Sequence, residues 1–218
     1  LHGLGPDGRY DPKLPRYNRY LNDKGYGGDN PWHDWANAAQ GEGNALASGW
    51  AMKHAKKPAR VAEEDSETPY MTRRAMDFMR EAKAPWCLHL SYIKPHWPYI
   101  APEPYNTMYD AKDLVPVMRS EDERRDPHPV YREFMKHRVS NVFARDEVRG
   151  EVVPVYMGLI KQIDDQLGVL FKFMEESGLM QNTMIVFTSD HGDYLGDHWM
   201  GEKDLFHEPS VKIPLIVY

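Results

Sequence analysis

The sequence predicts an α/β fold in which a mainly parallel central sheet is flanked by helices. Three neighbouring features carry that expectation. Val155, Tyr156, Leu159, Ile160, Ile163, Leu167, Leu170, Phe171 and Met174 recur at helical spacing over roughly residues 152 to 177, and Gly178 stands where the helix should stop. A short connection from Leu179 to Thr183 leads into Met184-Ile185-Val186-Phe187, a run apolar on both faces, as a buried central parallel strand requires. That run ends in Thr188-Ser189-Asp190-His191-Gly192-Asp193, and α/β sheets place their sites beyond the carboxyl ends of their strands.

The elements ahead of this unit follow from local pattern. Residues 1 to 65 are rich in Gly, Pro, Asp and Asn, carry Trp32, Trp35 and Trp50, and show no sustained period. They predict a long irregular excursion, as packed surface loops or as the lining of a pocket. Residues 66 to 218 form the predicted α/β domain, incomplete at both ends. Thr68 as N-cap, Pro69 at the first helical position and the spacing of Met71, Ala75, Phe78, Met79 and Ala82 predict a helix to about Lys83, closed by Pro85.

Trp86, Leu88, Leu90 and Tyr92 then alternate with Cys87, His89 and Ser91 as a strand, with Cys87 read as a small buried residue. The strand runs into Lys94-Pro95-His96-Trp97-Pro98-Tyr99, where two prolines hold the backbone extended and set His96 on a stiff loop. Residues 113 to 150 predict a charged, partly helical excursion that includes Tyr131 to Arg138. The last run, Ile213 to Tyr218, reads as an unfinished strand; with a start that lacks Met, it predicts a segment of a longer protein.

Composition narrows the function classes. At 218 residues, with 41% apolar and 28% charged side chains, the chain can bury a core and carries no disorder signature. A formal charge of -6 and the lack of a basic stripe argue against nucleic acid. Arg73-Arg74 and Arg124-Arg125 are interleaved with acids and read as solvated helix faces. A single cysteine excludes an intrachain disulfide, and no apolar run approaches the length of a membrane span. An oligomer is compatible with all of this.

Within a strand, adjacent side chains point to opposite faces, so Asp190 and His191 share one ion only if the backbone leaves the strand there. Gly192 permits that exit. Carboxylate oxygen and neutral imidazole nitrogen suit a divalent cation, and such a cation suits hydrolysis of an anionic ester. Taken alone the pair reads equally well as a turn in which Asp190 caps the next segment and His191 packs. The loops at 94 to 99, 190 to 198 and 201 to 209 also offer His96, Asp193, Asp197, His198, Lys203 and His207.

These residues resemble the sulfatases of the alkaline phosphatase superfamily, with the related phosphonate monoester hydrolases and phosphodiesterases. The resemblance rests on Tyr92-Ile93-Lys94-Pro95-His96-Trp97-Pro98, on Ile163-Asp164-Asp165-Gln166-Leu167-Gly168, and above all on Phe187 to Gly192 continuing through Leu195-Gly196-Asp197-His198 to Lys203. Glu202-Lys203, Phe206 to Ser210 and Ile213 to Ile216 extend it, so that it covers about residues 68 to 218. It implies an alkaline-phosphatase-like sandwich, of which this chain is a part, and a metal-dependent hydrolase of sulfuric esters acting on a small anionic ester.

Position by position, the resemblance implies that Asp190 and His191 ligate one divalent metal, calcium foremost, with manganese, magnesium and zinc as alternatives. It implies that Lys203 binds the sulfate or phosphate oxygens and that His96 contacts the ester oxygen and protonates the leaving group. Asp193, Asp197, His198 and His207 are expected as supporting groups or pocket wall, and Asp164-Asp165 as solvated or structural. The family's two further acidic metal ligands and its CxPxR or SxPxR signature, whose first residue becomes a formylglycine nucleophile, are not found in this chain. They are expected upstream, and the isolated segment is expected to lack turnover. A phosphodiesterase or phosphonate monoester hydrolase on the same scaffold, and an inactive remnant or binding module, stand as alternatives.

Overall fold

The computed structural model describes residues 16–218, whose regular elements are short apart from the second and sixth helices. In chain order they are α1 (Arg16–Asp23), β1 (Ala38–Gln40), β2 (Leu46–Ser48), α2 (Glu67–Glu81), α3 (Asp122–Arg125), α4 (Pro129–Met135), α5 (Arg138–Phe143), α6 (Asp146–Glu176), β3 (Val186–Thr188), α7 (Glu208–Val211) and β4 (Leu215–Val217). The chain divides into two units. The first runs to Tyr109 and takes in Pro154–Glu176; the second comprises Asp110–Val153 and Ser177–Tyr218. Among the described residues no helix is long and apolar enough to cross a membrane.

In the first unit, Tyr17 and Leu21 of α1 join Ala36, Ala39, Ala47, Val61, Tyr70 and Ile100 in one apolar cluster. β1 and β2 pair antiparallel, with Ala39 opposite Ala47, both buried. From residue 16 onward, the segment expected as an irregular excursion therefore supplies a helix, a strand pair and part of the core. Eight residues of helix carry too few apolar positions to register as a period, and buried alanines carry little hydropathy signal. Residues 1 to 15 of that excursion lie outside the described residues.

A buried carboxylate ties α1 and the turn after it to the residues just ahead of α2. Asp65 accepts from the hydroxyls of Tyr20 and of Tyr26 (3.1 Å) and pairs with Lys24 at 3.4 Å, while its carbonyl accepts from Tyr17 at 2.8 Å. Helix α2 begins at Glu67, one residue ahead of the predicted cap, with Thr68 and Pro69 buried in its first turn. The helix predicted from 152 to 177 is present and starts earlier, at Asp146. Val155, Leu159, Leu170 and Met174 are buried, whereas Ile160, counted in the stripe, is exposed.

Gln162, also buried, donates to Glu63 at 2.9 Å and to the Ser66 hydroxyl at 2.8 Å, and Gly158 lies against the Tyr105 backbone. Gly178 ends the segment in the left-handed conformation at φ 73°. Residues 87 to 92 form no strand. They keep the alternation, with Leu88, Leu90 and Tyr92 half-buried and Cys87, His89 and Ser91 exposed. Cys87 thus points outward, correcting its expected burial: the alternation puts it on the face opposite the leucines.

The second unit holds a smaller apolar cluster, in which Tyr194, Met200 and Leu205 pack against Tyr131, Phe134 and Met135. The run from Met184 was expected as a central parallel strand. Instead β3 pairs antiparallel with β4, Val186 opposite Val217 and Thr188 opposite Leu215, and both strands are exposed on both faces. Among the described residues β3 has one neighbour only, so nothing covers its apolar faces; Met184 is 74% exposed.

Candidate metal centre and anion-binding residues

The backbone leaves β3 after Thr188, and this lets consecutive residues face one another. The Asp190 Oδ1 accepts from the backbone N–H of His191 at 3.0 Å, and its Oδ2 lies 3.7 Å from His191 Nε2. His191 Nδ1 is 2.7 Å from the Gly192 carbonyl oxygen, an atom that can only accept, so Nδ1 carries the proton. In the neutral imidazole the lone pair then belongs to Nε2, the nitrogen that faces the carboxylate. Two acceptors held this close fit a shared cation, and a fixed Nδ1–H is the support that metal-ligating histidines use. The structure thus brings the predicted pair together. Among the described residues no group of three or more His, Cys, Asp or Glu side chains joins them.

Gly192 serves the pair differently from the expectation that it frees the backbone. A Cβ there would stand 1.9 Å from the Pro209 carbonyl oxygen, so glycine is required by close approach. The Gly192 N–H donates to the Ser210 carbonyl at 2.8 Å, fixing the loop of Asp190 and His191 to α7.

Lys203 is held within the same unit by a strained segment. Leu195, His198, Trp199, Glu202 and Asp204 all have positive φ, from 46° to 89°. Each such residue costs about 1 kcal/mol or more and persists only where surrounding bonds over-determine it. Those bonds are present. Asp193 Oδ1 accepts from the N–H groups of Leu195 (3.0 Å) and Glu202 (3.1 Å), the Tyr194 N–H donates to Glu202 at 2.8 Å, and Arg149 Nε donates to Leu195 at 2.8 Å. Lys203 therefore sits between two residues in the left-handed region, on a backbone tied to the Asp193 carboxylate.

His96 belongs to the first unit, on the proline-bounded loop that the sequence predicts. Its Nδ1 lies 2.8 Å from the Trp97 carbonyl oxygen, which again places the proton on Nδ1. Its ring stacks on Trp97 with centroids 5.5 Å apart.

A family model of the sulfatases matches residues 9–218. The chain belongs to the sulfatase family. It is 37% identical over 175 residues to the multifunctional alkaline phosphatase superfamily protein PehA of Trinickia caryophylli, covering 74% of this chain and 34% of that protein. It is 29% identical over 154 residues to an arylsulfatase of Clostridium perfringens, covering 69% of this chain and 31% of the relative. The chain thus spans about a third of the length of these relatives. Its fold matches the phosphonate monoester hydrolase of Silicibacter pomeroyi with a TM-score of 0.78 at 27% identity, over 94% of this chain and 42% of that one. The hydrolase of the same type from Agrobacterium radiobacter gives 0.76 at 25% identity, with the same coverage.

Sequence reasoning missed one buried residue of this sulfatase chain. Lys94, two positions before His96, is buried, and its Nζ donates to Asn37 Oδ1 at 3.0 Å and to the Pro98 carbonyl at 2.8 Å. Burial pushes its ammonium down to about 8, against a smaller opposing pull from Glu67. The amine bridges both ends of the loop that carries His96. A lysine in a charged sequence gives no sign of burial; the flanking prolines were the available hint.

The expected supporting residues are likewise engaged. His198 and His207 stack at 4.1 Å with planes 19° apart; His198 donates to Glu123 at 2.7 Å, and the Tyr194 hydroxyl lies 3.0 Å from His207 Nδ1. Burial, then the neighbouring His198, holds the His207 pKa below its ordinary value. Asp197 accepts from the Met118 N–H at 2.8 Å. In the first unit Asp165 accepts from Tyr105 at 2.9 Å and pairs with Lys161, a structural role.

Proposed function

We propose that the full-length protein is a metal-dependent hydrolase of sulfuric esters. The observation that carries this reading is the convergence of Asp190 Oδ2 on the lone-pair nitrogen of His191, in a chain of the sulfatase family. Asp190 and His191 hold one divalent cation, with calcium first among candidates and manganese, magnesium and zinc behind it. When bound, such a cation polarises the ester and offsets negative charge on its oxygens. Lys203 supplies a compact positive charge to the oxyanion, and His96, as the imidazolium with its Nδ1–H held by the Trp97 carbonyl, gives the Nε2 proton to the leaving oxygen and returns to the neutral ring. The remaining metal ligands and a formylglycine nucleophile belong to the part of the protein outside this chain. The same part completes a mainly parallel sheet around β3, a reading supported by the exposed apolar faces of β3 and β4.

A second reading is favoured by a specific observation: both phosphonate monoester hydrolases match the fold over 94% of this chain. Matched aryl sulfate and aryl phosphonate monoesters, assayed side by side with the full-length protein, separate the two by their ratio of kcat/KM. Metal analysis of the same preparation tests the shared premise. His191→Gln and Asp190→Asn should each lose the metal and most turnover; variants that keep both metal and rate would reject the assignment.

A further inference from the structure

The first unit contains a cleft of about 740 Å³ between α1 and α2. Its lining is periodic on both helices. Arg16, Arg19 and Asp23 recur along α1 at the spacing of one helical face, and Arg73, Asp77 and Arg80 do the same along α2. Arg74 completes the set. Two charged faces are thus turned toward one space, an arrangement that neither stretch shows in the sequence, where each arginine has acids nearby.

Among the described residues the charges do not balance: five guanidiniums line the cleft with two carboxylates, and one of those, Asp77, is shared by Arg74 at 3.1 Å and Arg80 at 3.0 Å. Arg16, Arg19 and Arg73 have no carboxylate partner among the described residues. Arg73 is nonetheless oriented: it donates to the Tyr20 hydroxyl at 2.9 Å and lies 5.6 Å from that ring's centroid, while Tyr20 is itself anchored by Asp65. This surplus of cations among the described residues, in a chain of formal charge -6, suits an anion from outside.

We propose that this cleft binds a small polyanion carrying two or more sulfate or phosphate groups. Guanidinium groups suit both, because each matches two oxygens of a tetrahedral oxyanion in a fork. The volume lies within the range of small-molecule sites. A long nucleic acid is disfavoured, since beyond the cleft it meets a net negative protein.

Calorimetry on the full-length protein tests this, with sucrose octasulfate and inositol hexakisphosphate as separate probes and a single-stranded DNA oligonucleotide as a third. One molecule of probe should bind per chain, and added salt should weaken it. Arg16→Gln/Arg19→Gln, which changes only exposed side chains, should weaken it about tenfold or more. Lys57→Gln, outside the cleft, should leave it unchanged. Preference for one probe identifies sulfate or phosphate as the natural group. Absence of binding by either small probe, equal affinity in the double variant, or DNA binding as tight as the small probes would each overturn the proposal. Because the readout is binding, failure here leaves the catalytic reading untouched.

Discussion

Gly192 has no side chain where the Pro209 carbonyl oxygen stands: an added Cβ would come within 1.9 Å of it. Beside His191, the loop and α7 are therefore in backbone contact. Gly192→Ala must push them apart and should cost about 1–3 kcal/mol, as overpacking does. Metal content should fall with it. Gly158→Ala meets the Tyr105 carbonyl oxygen at 2.0 Å and should destabilise similarly while leaving metal content intact. Denaturant titration and metal analysis of both variants check the contrast.

Asp193 holds the Lys203 segment through one oxygen, which accepts from two backbone N–H groups. In the full-length protein, Asp193→Asn keeps that oxygen and should retain most of the proposed activity. Asp193→Ala strands both donors next to a strained backbone and should lower kcat/KM about tenfold or more. Equal losses in the two variants would show that the carboxylate acts by charge instead.

Lys94 gives a pH signature. Its folded-state pKa is about 8, below the roughly 10.4 of an unfolded lysine. Between those values the unfolded chain binds a proton that the folded one does not, so this group makes stability rise with pH. Relative to Lys94→Met, the wild type should gain about 3 kcal/mol across the window. Urea titrations of both proteins at neutral pH and at about pH 10 measure that difference.

Asp65 acts in the opposite range. Burial works to raise its pKa, but hydrogen bonds from Tyr20 and Tyr26 and the pairing with Lys24 bring it below the ordinary value. Its contribution is complete above the unfolded pKa and disappears as pH falls through the lower folded one. The stability gap between wild type and Asp65→Asn should therefore narrow on acidification; a gap constant with pH would contradict the ionised role.

The local pattern reaches as far as its range allows. Apolar spacing locates α2 and α6, and Gly178 marks the stop, because these signals need only neighbours within a few turns. The same logic leaves the neighbours of Met184 to Phe187 undecided: apolarity on two faces states what the strand needs and cannot say which strands lie beside it. Lys94 and Gly192 were hidden for a related reason, since burial of an amine and contact with Pro209 depend on residues distant in sequence.

By itself, then, the sequence determined the family and the two long helices, and it singled out Asp190, His191, Lys203 and His96 as the candidates proposed above, because short motifs carry donor chemistry in their residue types. Tertiary structure alone decided that the Asp190 carboxylate faces His191 Nε2, that strained backbone flanks Lys203, and that arginines of α1 and α2 share a cleft. Each of these depends on where a side chain or carbonyl comes to rest in space, and hydrogen bonds and packing between distant segments set that position.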